Sequence, residues 1–238
     1  MIRHGILETS RIRATYPYLD VINDGNTVMW FQSSDETTIT KDGSNLVSRW
    51  NDKLGSGRDL VQATRSSQPT WSASGVTFNQ KRMTAALGFS LPAYPLTVYW
   101  VHKLNAWDKG KYFFSFGPSA VVPFMVSHTS TPRIAVGDVH TCYEDSLAIG
   151  NYGMITYGGS YTSPDEVFIG VNNETPDTAV WPGVDTTTNT TFVMGAHPSA
   201  ALSYGANFTI KEVIIRKKYD TEADRTIMWN YLKALYSL

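Results

Sequence analysis

Trp30-Phe31-Gln32-Ser33-Ser34-Asp35, Ser48-Arg49-Trp50-Asn51-Asp52-Lys53-Leu54-Gly55-Ser56-Gly57, Gln68-Pro69-Thr70-Trp71 and Gly75-Val76-Thr77-Phe78-Asn79 follow one another within residues 30–79. Short apolar runs there alternate with clusters of Gly, Pro, Asn, Asp and Ser, the punctuation of brief strands joined by tight turns. In the middle of it Asp52 is expected to cap its own turn by accepting backbone N–H bonds, with Gly55 and Gly57 supplying positive φ. A calcium ion held by Asp52 is the alternative, since carboxylate and carbonyl oxygens in a glycine-rich turn suit a hard cation. No other cofactor is expected. A phosphate loop would need Lys-Ser or Lys-Thr leading into a helix, and that is absent.

Further along, residues 97–104 alternate, with Val98, Trp100, His102 and Leu104 on one face and Thr97, Tyr99, Val101 and Lys103 on the other, the period of a strand. Both faces are apolar enough for a strand deep in a two-layer sandwich. β-type runs recur at Tyr112–Phe116, Val121–Ser127, Arg133–Val136, Met154–Tyr157, Val167–Val171, Phe192–Met194 and Phe208–Ile215. Their spacing predicts an antiparallel sandwich or jelly roll. Thr221-Glu222-Ala223-Asp224 then opens a capping-box-like start, and Ile227, Met228, Tyr231, Leu232 and Leu235 follow at helical spacing.

The quoted segments, with Val167-Phe168-Ile169-Gly170-Val171-Asn172-Asn173 and Asn207-Phe208-Thr209-Ile210-Lys211-Glu212-Val213-Ile214-Ile215, resemble the concanavalin A-like, laminin-G-like jelly-roll domains of phage structural and bacterial surface proteins. The resemblance implies an all-β antiparallel jelly-roll sandwich with an N-terminal extension and one C-terminal helix on the end or edge of the sandwich. It divides the chain into an arm, residues 1–26, and a jelly-roll domain, residues 27–238. It also implies that Trp50 and Trp71 fill the core, so that Trp30, Trp50 and Trp71 are scaffold and not a sugar-stacking set.

The 238 residues suffice for one large core, and a net charge of −1 gives no general attraction to nucleic acid or to an anionic membrane. Cys142 is the only cysteine, which excludes an intrachain disulfide. The start carries no signal-like apolar stretch and no segment is long and apolar enough to span a bilayer, so synthesis in a host cytoplasm is expected. The Asn-x-Thr tripeptides at Asn173, Asn189 and Asn207 read as coincidence in a Thr-rich chain.

Neither histidine nor cysteine spacing indicates a zinc site, and no Gly-x-Ser-x-Gly elbow occurs. No single strand delivers alternating catalytic carboxylates, and the adjacent pairs Glu144-Asp145 and Asp165-Glu166 read as loop solvation. These readings predict a non-enzymatic virion component, a capsid decoration or tail-fibre protein with no catalytic residue. A carbohydrate-binding adhesin or lectin module is the alternative and a glycan hydrolase or lyase the third choice. Expected partners are other virion subunits, host-surface glycans or a second copy of the chain. Contact would fall on Trp107 and Trp181, aromatics among turn residues, and assembly on the arm through Arg3, Arg11, Arg13, Tyr16 and Tyr18.

Overall fold

A computed structural model describes residues 16–91, 95–107, 110–116, 124–127, 134–136, 142–144, 148–160, 166–180, 189–196 and 205–238. In chain order its elements are α1 (Tyr18–Ile22), β1 (Thr27–Gln32), β2 (Ile39–Lys41), β3 (Val47–Trp50), β4 (Leu60–Val61), β5 (Thr70–Ser72), β6 (Gly75–Asn79), β7 (Met83–Leu91), β8 (Leu96–Leu104), β9 (Tyr112–Phe116), β10 (Phe124–Ser127), β11 (Ile134–Val136), β12 (Cys142–Glu144), β13 (Tyr152–Ser160), β14 (Glu166–Val171), β15 (Asp177–Val180), β16 (Asn189–Met194), β17 (Asn207–Arg216) and α2 (Glu222–Tyr236). They form two antiparallel sheets, an eight-stranded one ordered β15-β14-β13-β8-β17-β6-β5 with β1 also paired to β17, and a nine-stranded one ordered β12-β11-β10-β9-β16-β7-β4-β3-β2. The expected all-β antiparallel sandwich is the observed architecture.

Period-two alternation places the main core between the sheets. Val98, Trp100 and Leu104 of β8 meet Phe114 and Phe116 of β9 and Phe192 of β16 there, and Trp50 is fully buried against Phe31 with ring centroids 5.7 Å apart. Trp71 packs on the same core half-buried. Both tryptophans are therefore scaffold, as the resemblance implies. Trp30 differs: its indole lies on the outer face of the eight-stranded sheet and donates to Glu212 at 2.7 Å. The turn after β3 behaves as its residues predict. Asp52 accepts from the backbone N–H groups of Trp30 and Leu54 on Oδ1 and of Ser56 on Oδ2, while Gly55 and Gly57 take φ of 67° and 78°.

The second face of the eight-stranded sheet decides the rest. Tyr99 and Val101 of β8, Met154 of β13 and Ile214 of β17 point outward, and Met228, Trp229 and Leu232 of α2 cover them. α2 starts at the predicted capping box, Thr221 accepting from the Asp224 N–H and Asp224 accepting from the Thr221 N–H. It lies across the sheet face and not on the end or edge of the sandwich. The reason is that β8, the central strand, is apolar on both sides, so each side requires a cover.

Candidate functional site

Where α2 crosses the sheet, its flank toward β13 and β14 does not close on the strands. A groove of about 570 Å³ remains, bounded by α2, the outer face of β13 and β14, and the turn at 172–178. The volume suits a small-molecule or oligosaccharide ligand. Alternation along β14 builds its floor: Val167, Ile169 and Val171 face the core, and Glu166, Phe168, Gly170 and Asn172 line the groove. On β13 the matching face carries Met154, Thr156 and Gly158, with Gly158 directly opposite Phe168. Gly158 is required there, because a methyl in its place would stand 2.1 Å from Phe168 Cε1. Asn172, at φ 54°, turns the chain out of β14 and accepts from the Met154 N–H, fixing the corner. That turn matches the expected hairpin in which Asn enters positive φ.

Four acidic residues line this groove: Asp220, whose carboxylate is buried, and Glu166 at the start of β14, Glu174 in the turn and Glu222 in the first turn of α2. Glu166 is positioned by Tyr219, whose hydroxyl donates to Oε2 at 3.1 Å. Tyr219 is itself set by an edge contact with Phe168, ring centroids 5.2 Å apart. Arg225 lies over the Phe168 ring at 4.7 Å and donates to the Asp220 carbonyl at 2.8 Å. Trp229, buried along most of its length, supplies the aromatic wall. Carboxylates, a guanidinium and aromatic rings thus line one groove.

Behind it the chain is locked by buried ions. Arg216, fully buried, pairs with Asp220 at 2.7 Å and Asp24 at 2.8 Å, and Tyr99 donates to Asp220 at 2.7 Å. Burial pushes the Asp220 carboxyl up, against the opposing pull of Arg216 and Tyr99. On the other flank of α2, Glu212 accepts from Trp30, Tyr231, Tyr236 and Gln32. Burial raises its pKa despite those hydrogen bonds. Every donor around Glu212 is a side chain of the same sandwich, so this cluster ties α2 to β1 and β17. Among the described residues no group of three or more His, Cys, Asp and Glu could hold a metal ion.

The residues expected to make contacts are scattered. Trp107 is half-buried against the main core and lines a separate hollow of about 100 Å³ with Lys111, Phe113 and Asn207. Tyr16 is exposed, and Tyr18 stacks on Tyr231 of α2 with centroids 3.9 Å apart. Val21 and Ile22 of α1 join the core beneath α2, so the described part of the N-terminal segment packs on its own sandwich. Trp181, Arg3, Arg11 and Arg13 lie outside the described residues. The groove itself was missed, because Glu166 and Glu222 are far apart in sequence and only the fold brings them together. Two glycines inside strand patterns, Gly158 and Gly170, were the available signal, since such positions mark close approach of a backbone or ligand.

No protein-family model and no curated protein sequence matches this chain. Solved structures do. A Trypanosoma rangeli sialidase in complex with a difluoro-KDN inhibitor matches 89% of this chain and 33% of its own at 12% identity and a TM-score of 0.63. A GH54 α-L-arabinofuranosidase soaked with a cyclic sulfate inhibitor matches 91% of this chain and 65% of its own at 12% identity, TM-score 0.67. The receptor-binding domain of a botulinum neurotoxin mosaic serotype C/D matches 88% and 51% at 11% identity, TM-score 0.58. The chain thus spans about a third of the sialidase and about two thirds or less of the others. What these likenesses define is the class: a β-sandwich of the jelly-roll kind.

They also correct the functional expectation. The expected non-enzymatic virion component finds no counterpart among them: two of these three proteins are named as glycosidases and the third as a receptor-binding domain. The sequence reading weighed carboxylate pairs only along one strand. Here acidic residues line one groove from a strand, a turn and a helix, and Glu166, which reads as loop solvation in the sequence, begins β14 beside Tyr219.

Proposed function

We propose that this chain is a glycan-processing domain of the glycoside hydrolase kind, which holds a sugar chain in the groove between α2 and the β13–β14 face and hydrolyses it with Glu166 and Glu222. The observation that supports this reading is the convergence of Glu166, Glu174 and Glu222 on one groove floored by Phe168 and walled by Trp229. Glycoside hydrolysis requires two carboxyl groups at the scissile bond, one to protonate the leaving oxygen and one to act as nucleophile or to activate water. Glu166 is anchored by the Tyr219 hydroxyl, which fixes its orientation. Trp229 and Phe168 offer apolar faces to a pyranose ring, and Asn172, Asn173 and Arg225 offer hydrogen bonds to its hydroxyls. That two proteins of the same sandwich are named as glycosidases supports the class of reaction.

The test is release of reducing ends from a panel of plant, bacterial and animal polysaccharides by the purified chain and its Glu166→Gln and Glu222→Gln variants. Either substitution should lower turnover by at least about 10²-fold, the usual weight of a general acid or base. The variant lacking the acid should recover on aryl glycosides whose leaving group needs no proton, which assigns the two roles. No release from any polysaccharide, or turnover unchanged in Glu166→Gln, overturns the proposal.

A further inference from the structure

The described residues that line the groove carry four carboxylates, on Glu166, Glu174, Asp220 and Glu222, against one cation, Arg225. Asp220 is fully buried and answered by Arg216 at 2.7 Å. Arg225 stands over the Phe168 ring and donates to the Asp220 carbonyl, and neither it nor Glu166 or Glu222 forms an ion pair among the described residues. Hydrolysis by Glu166 and Glu222 needs one of the two protonated, which leaves Glu174 and one catalytic carboxylate facing Arg225. The working groove is therefore negative, and the excess resides in Glu174, which the cleavage does not use.

Glu174 is placed by its backbone. Its N–H donates to the Val171 carbonyl at 3.1 Å, and Pro176 folds back against Gly170, where a methyl would stand 3.3 Å from Pro176 Cγ. The acidic residues are spread over strand, turn and helix, and no three of them close on a metal ion. A point cation is thus not what they fit; a ligand whose positive charge repeats along its length is. The rings lining the groove favour the same sign, because an aromatic face attracts a cation. Phe168 already carries one inside the groove, the Arg225 guanidinium at 4.7 Å, and Trp229 supplies a second ring.

We infer that the groove takes a polysaccharide of amino sugars, whose rings carry protonated amines, and that Glu174 receives an ammonium and sets this specificity. The inference rests on the groove's being a glycan site, and it names the substrate class. A carboxylated or sulfated chain would bring its charge against Glu174 and the ionised catalytic carboxylate, so the same residues reject it. Net charge of the whole chain is only −1, so the attraction is local to the groove and not a general affinity for polycations.

Binding of a glucosamine oligosaccharide, its N-acetylated counterpart and a galacturonic acid oligosaccharide is measured by calorimetry at about pH 6, below the range of an α-amino group, so that the sugar amine is charged. The protein is the full chain carrying Glu222→Gln, which prevents cleavage, with and without Glu174→Gln. N-Acetylation keeps the ring and removes the charge. The glucosamine chain should bind about tenfold more tightly than the N-acetylated one, and Glu174→Gln should cut that preference about fivefold, the weight of one ionic contact. The affinity for the N-acetylated chain should not change. About 0.5 M salt should erase most of the preference in the protein that keeps Glu174. Equal affinity for the two chains, or tighter binding of the galacturonic acid chain, overturns the substrate class while leaving the glycan reading intact. A preference that survives both Glu174→Gln and salt overturns the assignment to Glu174. Oligolysine bound as tightly as the glucosamine chain shows a groove that reads charge without sugar and overturns the inference. A chain that binds none of these sugars and cleaves nothing removes both readings.

Discussion

One core histidine should make this protein lose stability on acidification. His102 of β8 is fully buried between the sheets, 6.2 Å from the Trp100 ring and 5.9 Å from Phe113, and neither ring nitrogen has a hydrogen-bond partner. Burial pushes its pKa from 6.5 down to about 3, with the Trp100 backbone offsetting only part of that. The unfolded chain therefore takes up the proton first, and stability present above about pH 6.5 is lost as the pH falls toward about 3. At about pH 5 the loss depends on the unfolded value alone, because the folded value lies well below. A gap of about 1.5 units at about 1.4 kcal/mol each gives roughly 2 kcal/mol, rising to about 5 kcal/mol at about pH 3. Urea unfolding at about pH 7.5 and about pH 5 is compared for the native chain and His102→Phe. The native chain should lose about 2 kcal/mol more than the variant over that interval, with the carboxylates titrating alike in both. At the higher pH the variant should be as stable or more so, since it buries no unpaired nitrogen. Parallel pH slopes in the two proteins would exclude His102 as the source of this acid sensitivity.

Trp50→Ala empties a fully buried aromatic site and should lower stability by about 3–5 kcal/mol, read from denaturant midpoints. Arg216→Met leaves Asp220 buried without its cation and should destabilise by about 3–5 kcal/mol, whereas Thr221→Ala removes only the α2 cap, for about 1 kcal/mol. Gly158→Ala drives Phe168 from its place in the groove floor and should raise KM for the cleaved glycan several-fold, with a stability loss of about 1–3 kcal/mol. An unchanged KM in that variant would place the sugar elsewhere.

The fold was legible because local signals and global packing agree. Alternation along residues 97–104, the capping box at Thr221, the Asp52 turn and the Asn172 corner each have one physical solution, and the structure adopts it. The placement of α2 was less so, since a capped amphipathic helix states that it covers something without stating which surface. β8 contained the answer in its two apolar faces. The site was legible only in fragments. Glu166 looks like surface polarity until Tyr219 is seen to reach it from fifty-odd residues on, a pairing that no spacing rule encodes.

The proposed function requires that a glycan be bound and cut in the groove beside α2. Its most direct test is a crystal structure of the Glu166→Gln variant soaked with an oligosaccharide of whichever polysaccharide the chain cleaves or binds. Sugar rings are expected against Trp229 and Phe168, with a glycosidic oxygen within hydrogen-bonding reach of residue 166 or Glu222. Sugar seated in the hollow at Trp107, or on the outer face of the nine-stranded sheet with the groove empty, would contradict it.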